Sequence, residues 1–476
     1  MQTKGIVLDR SSAVPLQRQL EAAIRDAVLC GELKPGERIL SSRELQTHLG
    51  LSRNTIVNAL GQLQAEGYLV TAKGAGTFVA DGLQHFRARP KHDVPVEEDL
   101  LPTQLSVAFR RAQPLATNLH GAVPFRPGVP ALDLFPMQQF RRGFASDRWG
   151  ADVLDYPCTF GDRRLREAIA GRLRQTRGIA CSSDSIVITG GAQAAFALIA
   201  RVLLARNDSV IVEEPGYPSV RAAFLAEGAR MHYVPVDRSG IRVSAFANRR
   251  ARLVHTTPSH QYPTGAVLFL ERRLALLAWA KKHDAWIIED DYDSEFNYTG
   301  RTQPALQSLD DGKRVLYVGT FSKSLAPGLR TAYIVVPGAL RLAFEAALDV
   351  AGAAPSMVLQ RALASFMENG HFGRHVTRMR RIYDQRRRFA SEEFVRLAGA
   401  TVGIVDSMAG LHFITNLPEA ISDAAVSARA AQVGVIAPAL SSYYHGSPRS
   451  NGLVIGYAAS DLHVIKHAVA KLADVL

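Results

Sequence analysis

Apolar residues recur along this chain with two different periods, and the change of period divides it. From Pro15 to Leu29, Leu16, Leu20, Ile24, Ala27 and Val28 fall on one side of a helix. Gly31 stops that helix and Pro35-Gly36 turns the chain. In SSRELQTHLG, Ser42 is placed as the N-cap of a short helix. After a tight turn at Gly50-Leu51-Ser52, a further helix is predicted over about Arg53 to Glu66, with Ile56, Val57, Leu60 and Leu63 facing inward. YLVTAKGAGTFVA comes after Gly67. Its two strand-like halves flank Lys73-Gly74-Ala75-Gly76, a hairpin with a basic tip. This unit, residues 1–80, ends near Ala80.

From Asp81 to His120 the period fades, and proline and charge rise through HFRARPKHDVPVEEDLLPTQ. That segment, 81–120, reads as a linker with room for one helix near its end. From Gly121 to the end, 121–476, short apolar runs alternate with longer helical stretches. SIVITG, SVIVEEP, RLVHTTP, AWIIEDD and RVLYVGT have the composition of buried parallel strands. The fold class expected for this part is α/β, with helices on both faces of the sheet.

A chain of 476 residues exceeds one ordinary core, so two or more domains are expected. No segment has the length and purity of a membrane span; ALIARVLLA after Phe196 carries an arginine and reads as a buried helix. Met1 to Arg10 lacks an apolar signal core. Cys30, Cys158 and Cys181 have the spacing of neither a metal site nor a disulfide framework, which fits a reducing cytoplasm. The net charge of +12 suits a polyanionic partner. Its densest stretch, RHVTRMRRIYDQRRRF from Arg374 to Phe389, spreads arginines over more than one helical face and reads as a solvated helix.

Chemistry concentrates in GTFSKSLAPGLR, Gly319 to Arg330. Lys323 stands there among Thr320, Ser322 and Ser324, with Arg330 downstream. A lysine in that setting can condense with an aldehyde, and the hydroxyls and arginine can hold a phosphate. Pyridoxal 5'-phosphate asks for that combination. TGGAQAAF supplies Gly191, Ala192 and Gln193 where a strand ends and a helix begins, which suits an anion. EEPGYPS presents Tyr217 as a ring for stacking. IIEDDYDSEF ends a strand in acids: a carboxylate there can pair with a pyridine nitrogen, and Tyr292 with a phenolic oxygen. In TPSHQYPTG, His260 and Gln261 are candidates for the ring edge. No residue set reads as a metal site.

In the N-terminal unit, two helices joined by a short glycine turn form a helix-turn-helix. The second begins with Ser52, Arg53, Asn54 and Thr55, suited to base edges and phosphates. The hairpin has the shape of a wing, and a glycine tip admits close approach to DNA.

From PLQRQLEAAIRDAVLCGELKPGERI through the wing, this unit resembles the GntR-type winged helix. The resemblance implies DNA contacts from Arg43, Ser52, Arg53, Asn54, Thr55, Lys73 and Gly74. From about Val123 onward the chain resembles fold-type I aminotransferases, which implies Lys323 as the cofactor-bound lysine, Asp290 and Tyr292 as ring partners, and Tyr217 as the stacking ring. DYPCTFGDRRLREAIAGRL resembles that family's cofactor entrance, so Tyr156 is expected to reach a partner subunit's cofactor across a homodimer. Together the two halves resemble the MocR subfamily of bacterial regulators. That resemblance implies a cytoplasmic, pyridoxal phosphate-dependent transcription regulator that binds double-stranded promoter DNA. Its effector is expected to be a small-molecule amine, an amino-acid-like compound or pyridoxal phosphate itself. The alternative is a working aminotransferase with a DNA-binding appendage. Two positions depart from the aminotransferase pattern. Tyr262 stands where asparagine precedes P-T-G, and Gly452 stands where the carboxylate-binding arginine is expected, with Arg449 three residues earlier.

Overall fold

The computed structural model describes residues 8–72, 74–81, 123–146, 150, 153, 155, 158–300, 304–310, 313–351, 355–399, 401–406, 408–446 and 449–476. The chain divides into two compact units, Met1–Thr103 and Gln104–Leu476. Lys73, Tyr156 and nearly all of the expected linker lie outside the described residues.

The first unit consists of α1 (Leu16–Leu29), α2 (Ser42–Leu49), α3 (Arg53–Ala65) and a hairpin of β1 (Leu69–Ala72) and β2 (Gly76–Val79). Leu20, Ile24, Leu45, Ile56, Ala59, Leu63, Leu69 and Val79 close one core. Each large side chain so buried contributes about 1.5–3 kcal/mol. Two details differ from the sequence-based expectation. The cap of α2 is Ser41: its hydroxyl accepts from the Glu44 N–H while the Glu44 carboxylate accepts from the Ser41 N–H. Only the 41–44 spacing closes that reciprocal box. Val57 is 49% exposed and Ala59 takes the inward position, because the helical face that meets α1 runs 56–59–60–63.

The second unit is built on an eight-stranded sheet of β3 (Ile186–Thr189), β4 (Ser209–Glu214), β5 (Arg230–Asp237), β6 (Gly240–Ile241), β7 (Leu253–Thr256), β8 (Trp286–Asp291), β9 (Val315–Thr320) and β10 (Ala332–Val335). The order across it is β3-β10-β9-β8-β7-β4-β5-β6. The five strands expected from sequence are all present. They are not all neighbours: β10 is inserted antiparallel between β3 and β9, whereas β9, β8, β7, β4 and β5 pair in parallel. Alternation along the strands feeds two layers. Val210, Val212, Leu253, Ile288 and Leu316 pack with Phe196 and Ile199 of the helix Ala192–Leu203. Ile211, Val254, Ile287 and Val315 pack with Leu276 and Trp279 of the helix Leu270–His283.

A smaller antiparallel sheet, β11 (Gly403–Val405), β12 (His412–Asn416) and β13 (Gly452–Gly456), packs on the helices His371–Ala398 and Leu462–Ala473. The arginine-rich stretch lies on the first of these helices, and it is not solvated throughout. Arg386 and Arg387 are buried, one donating to the Ala458 carbonyl at 2.5 Å and the other paired with Asp384 and Asp406. The segment before the large sheet is drawn against β13 by the Phe125–Gly456 bridge.

Because β10 reverses direction, β3 runs the same way as β9. The ends of β3, β4, β7, β8 and β9 therefore meet along one edge, where α/β sheets bind ligands.

Candidate functional site

Lys323 lies three residues beyond the end of β9. Its Nζ donates to the Gly128 carbonyl at 2.7 Å. Gly128 has a left-handed φ of +73°, which favours glycine, and a Cβ there would lie 2.7 Å from Nζ and push the amine aside. Loss of solvation lowers the lysine's pKa, opposed by Asp293 and Asp290 and reinforced by Arg126. Burial therefore favours the neutral, nucleophilic amine. Arg126 and Gly128 come from FRPG, a segment that does not stand out in the sequence; its Pro-Gly punctuation is the only signal it carries there.

The residues expected to hold an anion lie at or after the ends of two strands, β3 and β9. Gly191 (φ +102°) caps the helix that starts at Ala192, exposing that helix's first N–H groups. A Cβ at Gly191 would sit 3.1 Å from the Arg330 guanidinium, which lies across this bare backbone. Arg330 holds a left-handed φ of +44° at the end of a single 3₁₀ turn. In the turn after β9, the Ser322 N–H donates to Thr320 Oγ1, and Thr320 Oγ1 lies 3.1 Å from Ser322 Oγ. Gly191 thus meets Arg330, and the ends of β3 and β9 flank the same residue of β10, Ala332 pairing with both Thr189 and Thr320. Gln193 Nε2 donates to the Ser219 carbonyl at 2.7 Å, while its Oε1 is buried with no hydrogen-bond partner among the described residues.

The four acids of IIEDDYD separate by direction. Glu289 accepts from the N–H groups of Leu306 and Gln307. Asp291 faces the opposite way from Asp290 and pairs with Arg177 at 2.8 Å. Asp290 is buried, its Oδ2 3.4 Å from His255 Nε2. His255 is wedged edge-on between Phe196 and Phe224. The sequence pattern did not single it out, although a histidine inside the apolar strand RLVHTTP is an anomaly. Asp293 holds His260: its Oδ2 lies 2.9 Å from Nδ1.

Tyr217 precedes the helix Pro218–Ala226 and packs edge-on against Tyr262. Burial raises its pKa, and the charges of Asp290 and Arg330 both act on its phenol. The Tyr292 hydroxyl lies 3.0 Å from His260 Nδ1, and burial holds its pKa well above the ordinary phenol value. Gln261, expected at a ring edge, is engaged within its own loop and at the end of β4. Its amide donates to Glu213 and the Pro215 carbonyl and accepts from Thr264, so it holds its own loop. Tyr262 reaches Tyr443, oxygen to oxygen at 3.1 Å. His260, Asp293 and His412 bring potential ligand atoms within 4.8 Å of one another. Those atoms are engaged in hydrogen bonds, His412 with the Pro263 carbonyl among them.

At Gly452 a Cβ would lie 1.8 Å from the Thr415 carbonyl oxygen, so no side chain fits there. Arg449 is exposed and donates to the Gly446 carbonyl of its own loop.

In the first unit, Gly50 (φ +61°) turns the chain between α2 and α3. Ser52 Oγ caps α3, accepting from the Thr55 N–H, and lies 2.8 Å from Thr55 Oγ1. These two hydroxyls orient the helix start, which leaves Arg53 and Asn54 exposed. Arg43 on α2 is exposed as well, and Gly74 (φ +83°) stands in open space at the hairpin tip.

The fold and the site define a class: a winged helix-turn-helix carried on the same chain as an aminotransferase-type body. Residues 16–79 match the bacterial regulatory proteins of the gntR family, and residues 142–472 match aminotransferase class I and II. The chain is 35% identical to the probable rhizopine catabolism regulatory protein MocR of Rhizobium meliloti, over 98% of this chain and 95% of that one. It is 33% identical to the HTH-type pyridoxine biosynthesis transcriptional regulator PdxR of Corynebacterium glutamicum, over 98% of each. Among solved structures, a Pyrococcus horikoshii kynurenine aminotransferase superposes with a TM-score of 0.69 at 27% identity, over 74% of this chain and 90% of that one. The chain belongs to the MocR subfamily of GntR-type transcription regulators.

Among the described residues, no helix is long and apolar enough to cross a membrane.

Proposed function

We propose that this regulator holds pyridoxal phosphate on Lys323 and uses the site to sense an amine or amino-acid-like effector while its winged helices hold promoter DNA. The observation that carries this is the partly buried Lys323 amine, set at a strand edge shared by Asp290, Tyr292, Tyr217 and the Gly191–Arg330 contact. The donor set fits the cofactor end to end. The N–H groups of Ala192 and Gln193, with Ser322, Thr320 and Arg330, bind its phosphate. Tyr217 stacks on the ring, Asp290 keeps a proton on the pyridine nitrogen, and Tyr292 donates to the phenolic oxygen. The cofactor, when bound, supplies an aldehyde that exchanges one amine for another. Lys323 is the residue such an effector displaces. Tyr156 from a second copy completes the phosphate site of a homodimer. Arg43, Ser52, Arg53, Asn54, Thr55, Lys73 and Gly74 meet DNA, and the segment 81–120 passes the change between the units. The protein works in the cytoplasm.

Gly452 bears on the balance between sensing and turnover. The expected arginine is absent and has no room, and Arg449 is committed to its loop. An α-carboxylate lacks its usual anchor, which disfavours efficient transamination. The cofactor-binding set stays whole, so an amine effector remains compatible.

Borohydride reduction of the chain saturated with pyridoxal phosphate should place a pyridoxyl label on Lys323, and Lys323→Ala should lose it. Effector and DNA should couple by about 1–3 kcal/mol, measured as a change in operator affinity. Steady keto-acid release from an amine donor would instead establish the aminotransferase reading.

A further inference from the structure

Near Lys323, a buried pair stands behind Tyr292. His260 Nδ1 lies 2.9 Å from Asp293 Oδ2 and 3.0 Å from the Tyr292 hydroxyl. One ring nitrogen thus faces two partners, and in its plane it has either a proton or a lone pair, not both. Burial raises the pKa of Asp293, and the neighbouring His260 and Lys323 oppose that rise and favour its ionised form; an ionised Asp293 only accepts. It therefore places the proton on Nδ1, and this holds whether the imidazole is neutral or cationic. Nδ1 then has no lone pair for Tyr292, and the tyrosine must send its own proton elsewhere.

The surroundings fix this arrangement from three elements. His260 belongs to the loop after β7 and Asp293 to the loop after β8. Gly410, just before β12, closes the third side: a Cβ there would lie 2.2 Å from His260 Cε1 and 2.4 Å from Asp293 Oδ2. The Gly410 carbonyl is itself held by the hydroxyls of Tyr298 at 2.6 Å and Tyr457 at 2.7 Å. Both members of the pair are about 2% exposed. The other titratable groups facing it are His412, with its ring 5.2 Å from His260, Tyr262 beside Tyr292, and Asp291 and Lys323, whose charges act on Asp293.

We propose that Asp293 and His260 are positioning residues that lock the Tyr292 hydroxyl as a donor toward the cofactor's phenolic oxygen, so that the pair sets the protonation of the lysine-bound chromophore without touching it. This rests on pyridoxal phosphate being the group that Lys323 holds. Donation to that oxygen stabilises its anionic form, so loss of the donor raises the pH at which the chromophore loses its proton.

The test is a pH titration of visible absorbance on the full chain saturated with pyridoxal phosphate. Asp293→Asn frees the Nδ1 lone pair to accept from Tyr292, and His260→Ala removes the lock. Each should raise the chromophore's pKa by about one unit. Tyr292→Phe should raise it at least as far, and Tyr292→Phe with Asp293→Asn no further than Tyr292→Phe alone. His260→Asn, which returns an N–H near the Nδ1 position, should recover most of the shift. Additive shifts in the double variant, or an unmoved pKa in Asp293→Asn, overturn the proposal. If His260→Ala does not fold, the cycle of Asp293 and Tyr292 variants decides it alone. A wild-type chain that forms no lysine-bound chromophore would instead sink the cofactor reading beneath it.

Discussion

Asp291 offers the sharpest stability prediction, because it is an acid of the strand end that takes no part in the site and forms a buried ion pair. It lies on the back of β8 with its Oδ2 2.8 Å from Arg177 Nε and 2.5 Å from the Tyr317 hydroxyl, which donates to it. The side chains of Arg177 and Asp291 are 6% and 1% exposed. Asp291→Ala leaves a guanidinium charge buried beside the tyrosine. Breaking one side of such a pair costs about 3–5 kcal/mol, whereas an apolar replacement of both partners is often near neutral. The second unit runs from Gln104 to Leu476. With an unfolding entropy of about 2.1 cal/mol/K per residue, 3–5 kcal/mol corresponds to a fall in Tm of about 4–6 °C. Differential scanning calorimetry of the full chain, tracking the transition of the larger unit, measures it. Arg177→Met with Asp291→Leu should recover at least half of the loss. A single Asp291→Ala variant within 1 °C of wild type would refute the argument that this charge pair is sealed from water. So would a double variant that melts lower than the single one.

Other sites carry expectations of their own. Ser41→Ala should cost about 1 kcal/mol in the smaller unit by opening the capping box, seen as a lower urea midpoint for its transition. Gly191→Ala, at φ +102° and against Arg330, should weaken pyridoxal phosphate binding several-fold in an absorbance titration while leaving DNA affinity unchanged. Arg53→Ala should cost about 1–3 kcal/mol in operator binding by gel shift, and unchanged affinity removes it from the recognition surface. Burial beside His260 and Lys323 lowers the His412 pKa from 6.5 to about 3. Its depressed value makes the unfolded chain bind the extra proton first. The native state should therefore lose up to about 1.4 kcal/mol per pH unit as pH falls from 6.5 toward 3. His412→Gln should flatten that slope in acid denaturation.

Much of this molecule was legible in one dimension. The helix-turn-helix and its hairpin arise from local periodicity, caps and glycine turns, and the five site strands are short apolar runs ended by turn residues. Interactions within a few residues decide such features, so the sequence alone determines them. Lys323, Tyr217 and Arg330 stand out as candidates because each lies in a loop that borders a strand, whereas Asp290 is singled out from its acidic neighbours only by the family resemblance. The position of β10 could not be read, because inserting a strand antiparallel between β3 and β9 depends on pairings far apart along the chain. Nor could the division of labour among Glu289, Asp290, Asp291 and Asp293. Strand alternation sends them to different faces, and only packing supplies Leu306, His255, Arg177 and His260 as their partners. Gln261 and His260 are adjacent in sequence, yet one is consumed by Glu213 and the other meets Asp293 and Tyr292. The ban on a side chain at Gly452 came from a carbonyl on the neighbouring strand. Local residue chemistry fixed which groups were available; burial and long-range contact decided which of them were left free to act.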